Sequence, residues 1–486
     1  MRHSRFATAS LRPWAASVLL SAATAAAGAA PAPAPETIAA QLRDAALAGH
    51  DIAYTWVSEL TTRFGPRPAG SVNEHEAAEW AAGRFKALGF DNVHVESFPI
   101  TAWVRGNESA QLLAPTPQPL VVAALGESPP TPPTGLEGEV VLFASLDELK
   151  AAPAGSLSGK IALVTAHMVR TQDGEGYGPA VLSRVQGPGA AARAGAIAFL
   201  LRSAGTDSHR MAHTGTTLYV DGKVPLPSFA LSVPDAEQLE RIAALGQTPR
   251  VHLYCGASYV VDAHSQNVIA DVKGTAMPEE FVLLGAHLDS WDQGTGAIDD
   301  GTGTAIVTAA AKLIRDLPHR PKRTVRVVLF GSEEVAQPVT PGGDFGGNSY
   351  AVSHAAELAR HALAGESDLG ADRIYALALP PAVLHGPFAD SVLRVLAPLG
   401  VLAAPRAPKD AGADVAPAAA AGVPAFLLQQ DASRYFDLHH TPDDTLDKVE
   451  RAALDQNVAA WAALAWLAAD GEVNFRGPAA AEPVQP

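Results

Sequence analysis

With a single cysteine, Cys255, the 486-residue chain cannot form an internal disulfide. Its fold must rest on a packed core, and Cys255 itself reads as a small buried hydrophobe. Positive charge is also scarce. Against 51 Asp and Glu there are 35 Lys and Arg, a formal charge of −16, which argues against nucleic acid as a partner. Beyond the first thirty residues no stretch reaches the ~18 apolar positions that a membrane-spanning helix needs.

The N-terminus carries Arg2, Arg5 and Arg12, then "WAASVLLSAATAAAGAA", which includes Ala27-Gly28-Ala29. This pattern is a secretory signal peptide over 1–29, too short and too alanine-rich to span a bilayer. Cleavage near Ala29 leaves a secreted or periplasmic chain of formal charge −19. The Ala/Pro/Arg-rich composition fits a bacterial source.

The length allows two domains. Ser71 and Glu74 have the spacing of a capping box and predict a helix running to about Leu88. Arg67, just before it, suits a turn-stabilising role as well as a functional one. Between 125 and 254, short apolar runs such as "KIALVTA" and "AIAFLLRS" alternate with Gly/Pro clusters, the mark of an inserted α/β or mostly β module. Its charged stretches, "RTQDGEGYG" and "DSHRMAHTG", read as solvated loops. From "SQNVIADVKG" onward strands and helices alternate, which predicts an α/β fold with a mostly parallel sheet and helices on both faces. Residues 30–124 and 255–476 then form one domain around the insertion. The Pro/Ala-rich tail, 477–486, reads as disordered.

In an open α/β sheet, ligands gather outside the carboxyl ends of the strands. The run "EEFVLLGA" leads into "HLDSWDQGTGAIDDGTG", where His287, Asp289, Asp292, Asp299 and Asp300 lie among glycines. "TVRVVLFGS" leads to Glu333 and Glu334, "RHALAGES" to Asp368, and "VPAFLLQQ" to a loop with His439 and His440. Crowded carboxylates raise one another's pKa, so a cation must hold them ionised. Histidines mixed with carboxylates, and no cysteine, point to Zn²⁺ or a similar borderline metal. A calcium loop starting at Asp289 would place Gly294 at position 6 and Asp300 at position 12. Its positions 3 and 5 would be Trp291 and Gln293, and a strand rather than a helix precedes it, so calcium is set aside. The adjacent Glu333 and Glu334 permit a division of labour, one binding metal and the other acting as a base.

The ordered set of H-x-D, a glycine-flanked Asp-Asp, Glu-Glu, Asp and a His before "TPDDT" resembles the co-catalytic dizinc aminopeptidase/carboxypeptidase family. The likeness extends from "GPRPAGS" through "HTGTTLYVDGKVPLPSFALSVPDAEQL" to "HHTPDDT", most of the mature chain. It implies a zinc-exopeptidase-type sheet with an inserted protease-associated-like domain over or beside the cleft. It also implies two Zn²⁺. His287 and Asp368 would bind one, Glu334 and His440 the other, and Asp299 would bridge them. Glu333 would be the general base for the bridging water, with Asp289 accepting the other N–H of His287. The Asp299–Asp300 bond would be cis, and relatives point to a homodimer. His439 reads as structural, and Asp292, Asp300, Asp443 and Asp444 as solvated or hydrogen-bonded. The lengthened loop 335–347, which follows the Glu pair, stands to reshape the substrate pocket.

The implied activity is hydrolysis of dipeptides or short peptides with free termini, and for a dipeptide the amino- and carboxypeptidase labels describe the same cut. Two other readings compete: a single-zinc acyltransferase of the glutaminyl-cyclase kind, and a non-catalytic binding module on the same fold. The complete ligand set and the separate Glu333 argue against both. Mass spectrometry of the exported protein should find its N-terminus near Ala30. A chain still carrying Met1 would remove the export reading.

Overall fold

The computed structural model describes residues 34–49, 51–217, 225–334, 345–409 and 412–477. The leader expected at 1–29 lies outside the described residues, as do nearly all of the tail 477–486 and most of the loop 335–347.

Five strands make the sheet that carries the site, in the order Asp91–Val104, Ser258–Val272, Arg323–Phe330, Met277–His287, His361–Glu366. Met277–His287 is parallel to both of its neighbours, Arg323–Phe330 and His361–Glu366. The helix Thr302–Arg315 supplies the crossover that a parallel pair requires. The remaining two pairings are antiparallel, so the sheet is mixed rather than mostly parallel. The cause is local. Only the short turn 273–276 joins Ser258–Val272 to Met277–His287, and without a crossover helix the chain reverses direction.

Side chains alternate across this sheet with period two. Val282, Leu284, Val327 and Leu329 face one core, with the helices Val72–Ala87, Thr302–Arg315 and Arg451–Asp470. Leu283, Val328 and Phe330 face a second, against Tyr350 and Ala418 from the helices Gly346–Ser353 and Ala416–Ala420. Strands buried on both faces are apolar at successive positions, which is why "FVLLGA" and "VRVVLF" read as nearly continuous runs. Ser71 caps its helix as expected, accepting from Glu74 N, and the helix spans Val72–Ala87. The Glu74 carboxylate, however, does not return to the cap residue. It accepts from Gly70 N at 2.6 Å and from the hydroxyl of Ser265.

Between the strands Asp91–Val104 and Ser258–Val272 the chain builds a second, eight-stranded sheet, and the helices Tyr177–Arg193 and Val233–Ala244 belong to the same inserted stretch. This sheet starts at Glu108, upstream of the limit at 125 read from the sequence, because Glu108–Ala114 pairs with Arg250–Cys255. "ESAQLLA" is buried on alternate positions and so lacks the apolar run that marked the later strands. Cys255 is buried at its end.

Close packing makes one small residue decisive. A Cβ on Gly365 would lie 2.5 Å from carbons of the buried Phe426 ring. Gly365→Ala should therefore destabilise the fold by about 1–3 kcal/mol, read as a lower midpoint in urea unfolding. An unchanged midpoint would show that the ring moves aside freely.

Candidate functional site

Four chain segments deliver their polar residues to the carboxyl ends of the parallel strands. His287 is the last residue of its strand, Glu333 and Glu334 follow Phe330, Asp368 follows Glu366, and His439–His440 follow the turn of helix Tyr435–Leu438. All five expected ligands meet. His287 Nε2 is 3.2 Å from Asp299 Oδ1 and 3.4 Å from Asp368 Oδ1. His440 Nε2 is 3.3 Å from Asp299 Oδ2 and 2.9 Å from Glu334 Oε2. Asp299 is thus common to two clusters, one on each of its oxygens. His439 Nε2, 3.7 Å from Asp299 Oδ2, also falls within ligand range, and its ring stacks on His440 at 3.4 Å.

The acidic loop 288–296 is held from outside by Arg67, which is fully buried. Its guanidinium donates to the carbonyls of Leu288, Gly65, Thr295 and Gly296, and its own N–H donates to Ser290 Oγ. Gly296 takes φ 58°, and a Cβ there would press on Ser290 and Arg67, so glycine alone suits the turn. Burial draws the Arg67 pKa down to about 10, against the pull of Asp444 and Asp289, which keeps it charged at neutral pH. Asp444 accepts from Ile298 N at 2.6 Å and Asp299 N at 3.2 Å, and Asp300 accepts from His287 N at 3.1 Å and Gly303 N at 3.0 Å. Asp292 is tied to Arg105, and Asp443 to Lys448. The Asp299–Asp300 peptide is cis.

Asp289 does something different from what was expected of it. Its carboxylate oxygens accept the backbone N–H groups of Glu333 (3.0 Å) and Glu334 (3.2 Å), fixing the glutamate pair relative to the first loop. His287 Nδ1 is met instead by the Asp289 carbonyl at 3.1 Å, with the carboxylate 3.6 Å away. The ring is oriented by the expected residue, but mainly through its backbone.

Electrostatically the site is overloaded with acid. Burial and then neighbouring charges, chiefly Asp299 for Glu334 and Asp368 with Asp289 for Glu333, push both glutamates well above the usual carboxylate range. Burial and Asp368 raise Glu366 to about 8. Asp299 is the exception: burial raises it, but His287, His440 and His439 together hold it well below the ordinary value. Burial lowers His440 to about 4 against the pull of Asp299, so the ring is neutral and its Nε2 lone pair free. Asp299 Oδ2 and Glu334 Oε1 are buried without a hydrogen-bond partner. Orphaned buried oxygens on clustered acids, beside histidine rings, fit a divalent cation of the zinc kind.

The cleft over these groups has a volume of ≈ 520 Å³. Tyr177, Arg184 and Thr216 line it from the inserted module, opposite Asp299, Glu333 and Asp368. Sequence reasoning left the role of Arg67 open between two readings, and the turn-stabilising one holds, since Arg67 carries the loop. It missed three contributors. Glu366 is buried beside Asp368, and its only sequence signal was its place at a strand end. Asp207 and His213 of "DSHRMAHTG" are buried, not solvated. Removing the Arg67 fork strands several buried carbonyls at ~1–3 kcal/mol each, so Arg67→Lys should lower stability by roughly 3 kcal/mol or more in urea titration. A loss under about 0.5 kcal/mol would show that the loop holds itself.

Comparison with known proteins places this geometry. Residues 267–465 match the model of peptidase family M28. Carboxypeptidase Q of Mus musculus is 36% identical over 417 residues, covering 86% of this chain and 85% of its own. A crystal structure of a peptidase M28 precursor from Shewanella amazonensis SB2B superposes with a TM-score of 0.87 at 45% identity, over 91% of this chain and 98% of that one. The zinc aminopeptidase of Bacillus subtilis has the same fold at 22% identity, with a TM-score of 0.61 over 87% of this chain and 95% of its own.

Proposed function

Because the chain belongs to peptidase family M28 and is a zinc metallopeptidase, we propose that it is a secreted dizinc exopeptidase cleaving dipeptides and short peptides with free termini. The observation that carries this reading is the pair of ligand clusters sharing Asp299, with Asp299 Oδ2 and Glu334 Oε1 left unpaired in the buried site. His287 and Asp368 would hold one ion, Glu334 and His440 the other, and Asp299 both. Two zinc ions would supply Lewis acidity for the scissile carbonyl and lower the pKa of the attacking water.

The chain's own residues do the rest. Glu333 lines the cleft, half-buried, beside Glu334 and Asp368. It takes the proton from the attacking water and returns it to the leaving amine, which restores the carboxylate. The Asp289 carboxylate fixes Glu333 N and Glu334 N, so base and ligand keep a set spacing. The inserted module, of protease-associated type, walls the cleft with Tyr177 and Arg184, and this boundary limits entry to short peptides. Arg184 brings a guanidinium to a lining that also holds four carboxylates, and with Nε on Thr216 O and Nη1 on Tyr177 Oη, its remaining N–H groups could meet a peptide carboxylate.

Purified protein should contain about two zinc ions per chain and hydrolyse members of a dipeptide panel. Chelation should abolish turnover and zinc should restore it. One ion, with acyl transfer in place of hydrolysis, would favour a cyclase instead. Separately, Glu333→Gln should keep both ions while losing about 10²–10⁴ in kcat. A variant that retains turnover would remove Glu333 from the chemistry.

A further inference from the structure

The inserted module does more than wall the cleft. Residues 206–214, after the strand Ala198–Arg202, and Arg170 ahead of it are bonded to the stretch 436–440. Thr206 N donates to Phe436 O at 3.1 Å. Arg170 grips the Asp437 carboxylate with both ends of its guanidinium, at 2.9 and 2.7 Å. His213 Nδ1 donates to His439 O at 2.8 Å. Thr214 N donates to His440 O at 3.1 Å, and His440 Nδ1 donates back to Thr214 O at 3.2 Å.

We propose that Asp207 and His213 are positioning residues of the metal centre. They fix the backbone at 439–440 so that the Thr214 carbonyl sets the tautomer of His440 and leaves its Nε2 lone pair aimed at Asp299 and Glu334. The proposal deepens the dizinc reading and rests on it for the metal.

Donor accounting comes first. His213 Nε2 lies 2.7 Å from Asp207 Oδ1, so with Nδ1 on a carbonyl both ring nitrogens face acceptors. Both side chains are only 1% exposed, and what the pair delivers is geometry: a fixed ring that donates to one chosen carbonyl. Asp207 is itself fixed, accepting from His209 N at 2.8 Å, and His213 N donates to Ser203 Oγ at 2.9 Å. The ring sits in a cradle that only glycine leaves open, since a Cβ on Gly205 would lie 2.3 Å from it.

The need for a brace is equally visible. His440 holds φ 61°, a left-handed conformation that non-glycine residues avoid. A ligand in that conformation stays in place only where its surroundings insist on it. The bonds from His213 and Thr214 are on the two successive carbonyls that define the bend. A ligating histidine whose other nitrogen is fixed by a carbonyl depends on that partner for orientation, and losing such a partner typically weakens metal binding about 10–100-fold.

The test uses His213→Gln, Asp207→Asn and Gly205→Ala on the full mature chain as purified, with two readouts. In hydrogen exchange, peptides over 435–445 should exchange at least about tenfold faster in the variants, while peptides over 281–300 keep the wild-type rate. In stepwise zinc titration after chelation, one of the two ions should bind about 10–100-fold more weakly and the other should hold its wild-type affinity. Unchanged exchange at 435–445 in all three variants would overturn the proposal. So would equal weakening of both ions, or faster exchange across the whole chain, since either marks a merely structural role. Wild-type protein that takes up fewer than two zinc ions fails the dizinc reading instead, and the local exchange result then decides the positioning role by itself.

Discussion

Buried negative charge is the constraint on which the rest of this structure depends. Asp299, Glu334, Asp368, Glu366 and Asp414 converge, four of them buried, and several of their oxygens have no hydrogen-bond partner. Like charges this close cannot all ionise unless something cationic joins them. Arg67, fully buried behind the first loop, directs its donors to backbone carbonyls and not to these carboxylates. On the proposed reading a bound cation supplies the neutralising charge, and the scaffold must hold repelling groups in place.

Rigid strand ends meet that demand. Parallel strands buried on both faces cannot shift register without moving side chains from one core to the other. Their last residues accordingly start from fixed points. The loops beyond them are less constrained, and each has its own tie: Arg67 and Asp444 for the first, the Asp289 carboxylate for Glu333 and Glu334, the amides of Asp414 and Val415 for Glu366. Carboxylates near the centre thus do two jobs. On the proposed reading some offer oxygens to the cation, and others use theirs to clamp the backbone that carries the first group.

This division explains what was legible in the sequence. The meeting of His287, Asp299, Glu334, Asp368 and His440 could be read from chemistry and order, since strand ends share one rim in an open sheet. Residues whose role depends on which backbone group they reach could not. Nothing in "HLD" shows whether the aspartate meets an imidazole or two amides forty-odd positions on. "DSHRMAHTG" is polar enough to read as a solvated loop, and only the tertiary fold shows His213 enclosed. The sheet's direction failed for a similar reason. Strand–helix alternation was counted from the apolar runs, but the turn 273–276 contains no helix, and that one short connection makes half of the pairings antiparallel.

The place of the insertion follows from the same need for bracing. The chain leaves the first sheet along Asp91–Val104, and Arg105, just past its end, holds Asp292 of the acidic loop in a two-pronged pair at 2.8 Å. The same guanidinium donates to Thr214 Oγ1 at 3.1 Å, on the residue that bonds His440. One buried cation therefore links the loop that begins at His287 with the module segment beneath the other histidine. Trp103, two residues earlier, adds an edge contact to Trp291 at 6.3 Å. Entering beside the first loop and passing under the last, the module ties the loop after His287 and the stretch at His440 to a common frame, which makes it part of the site it encloses.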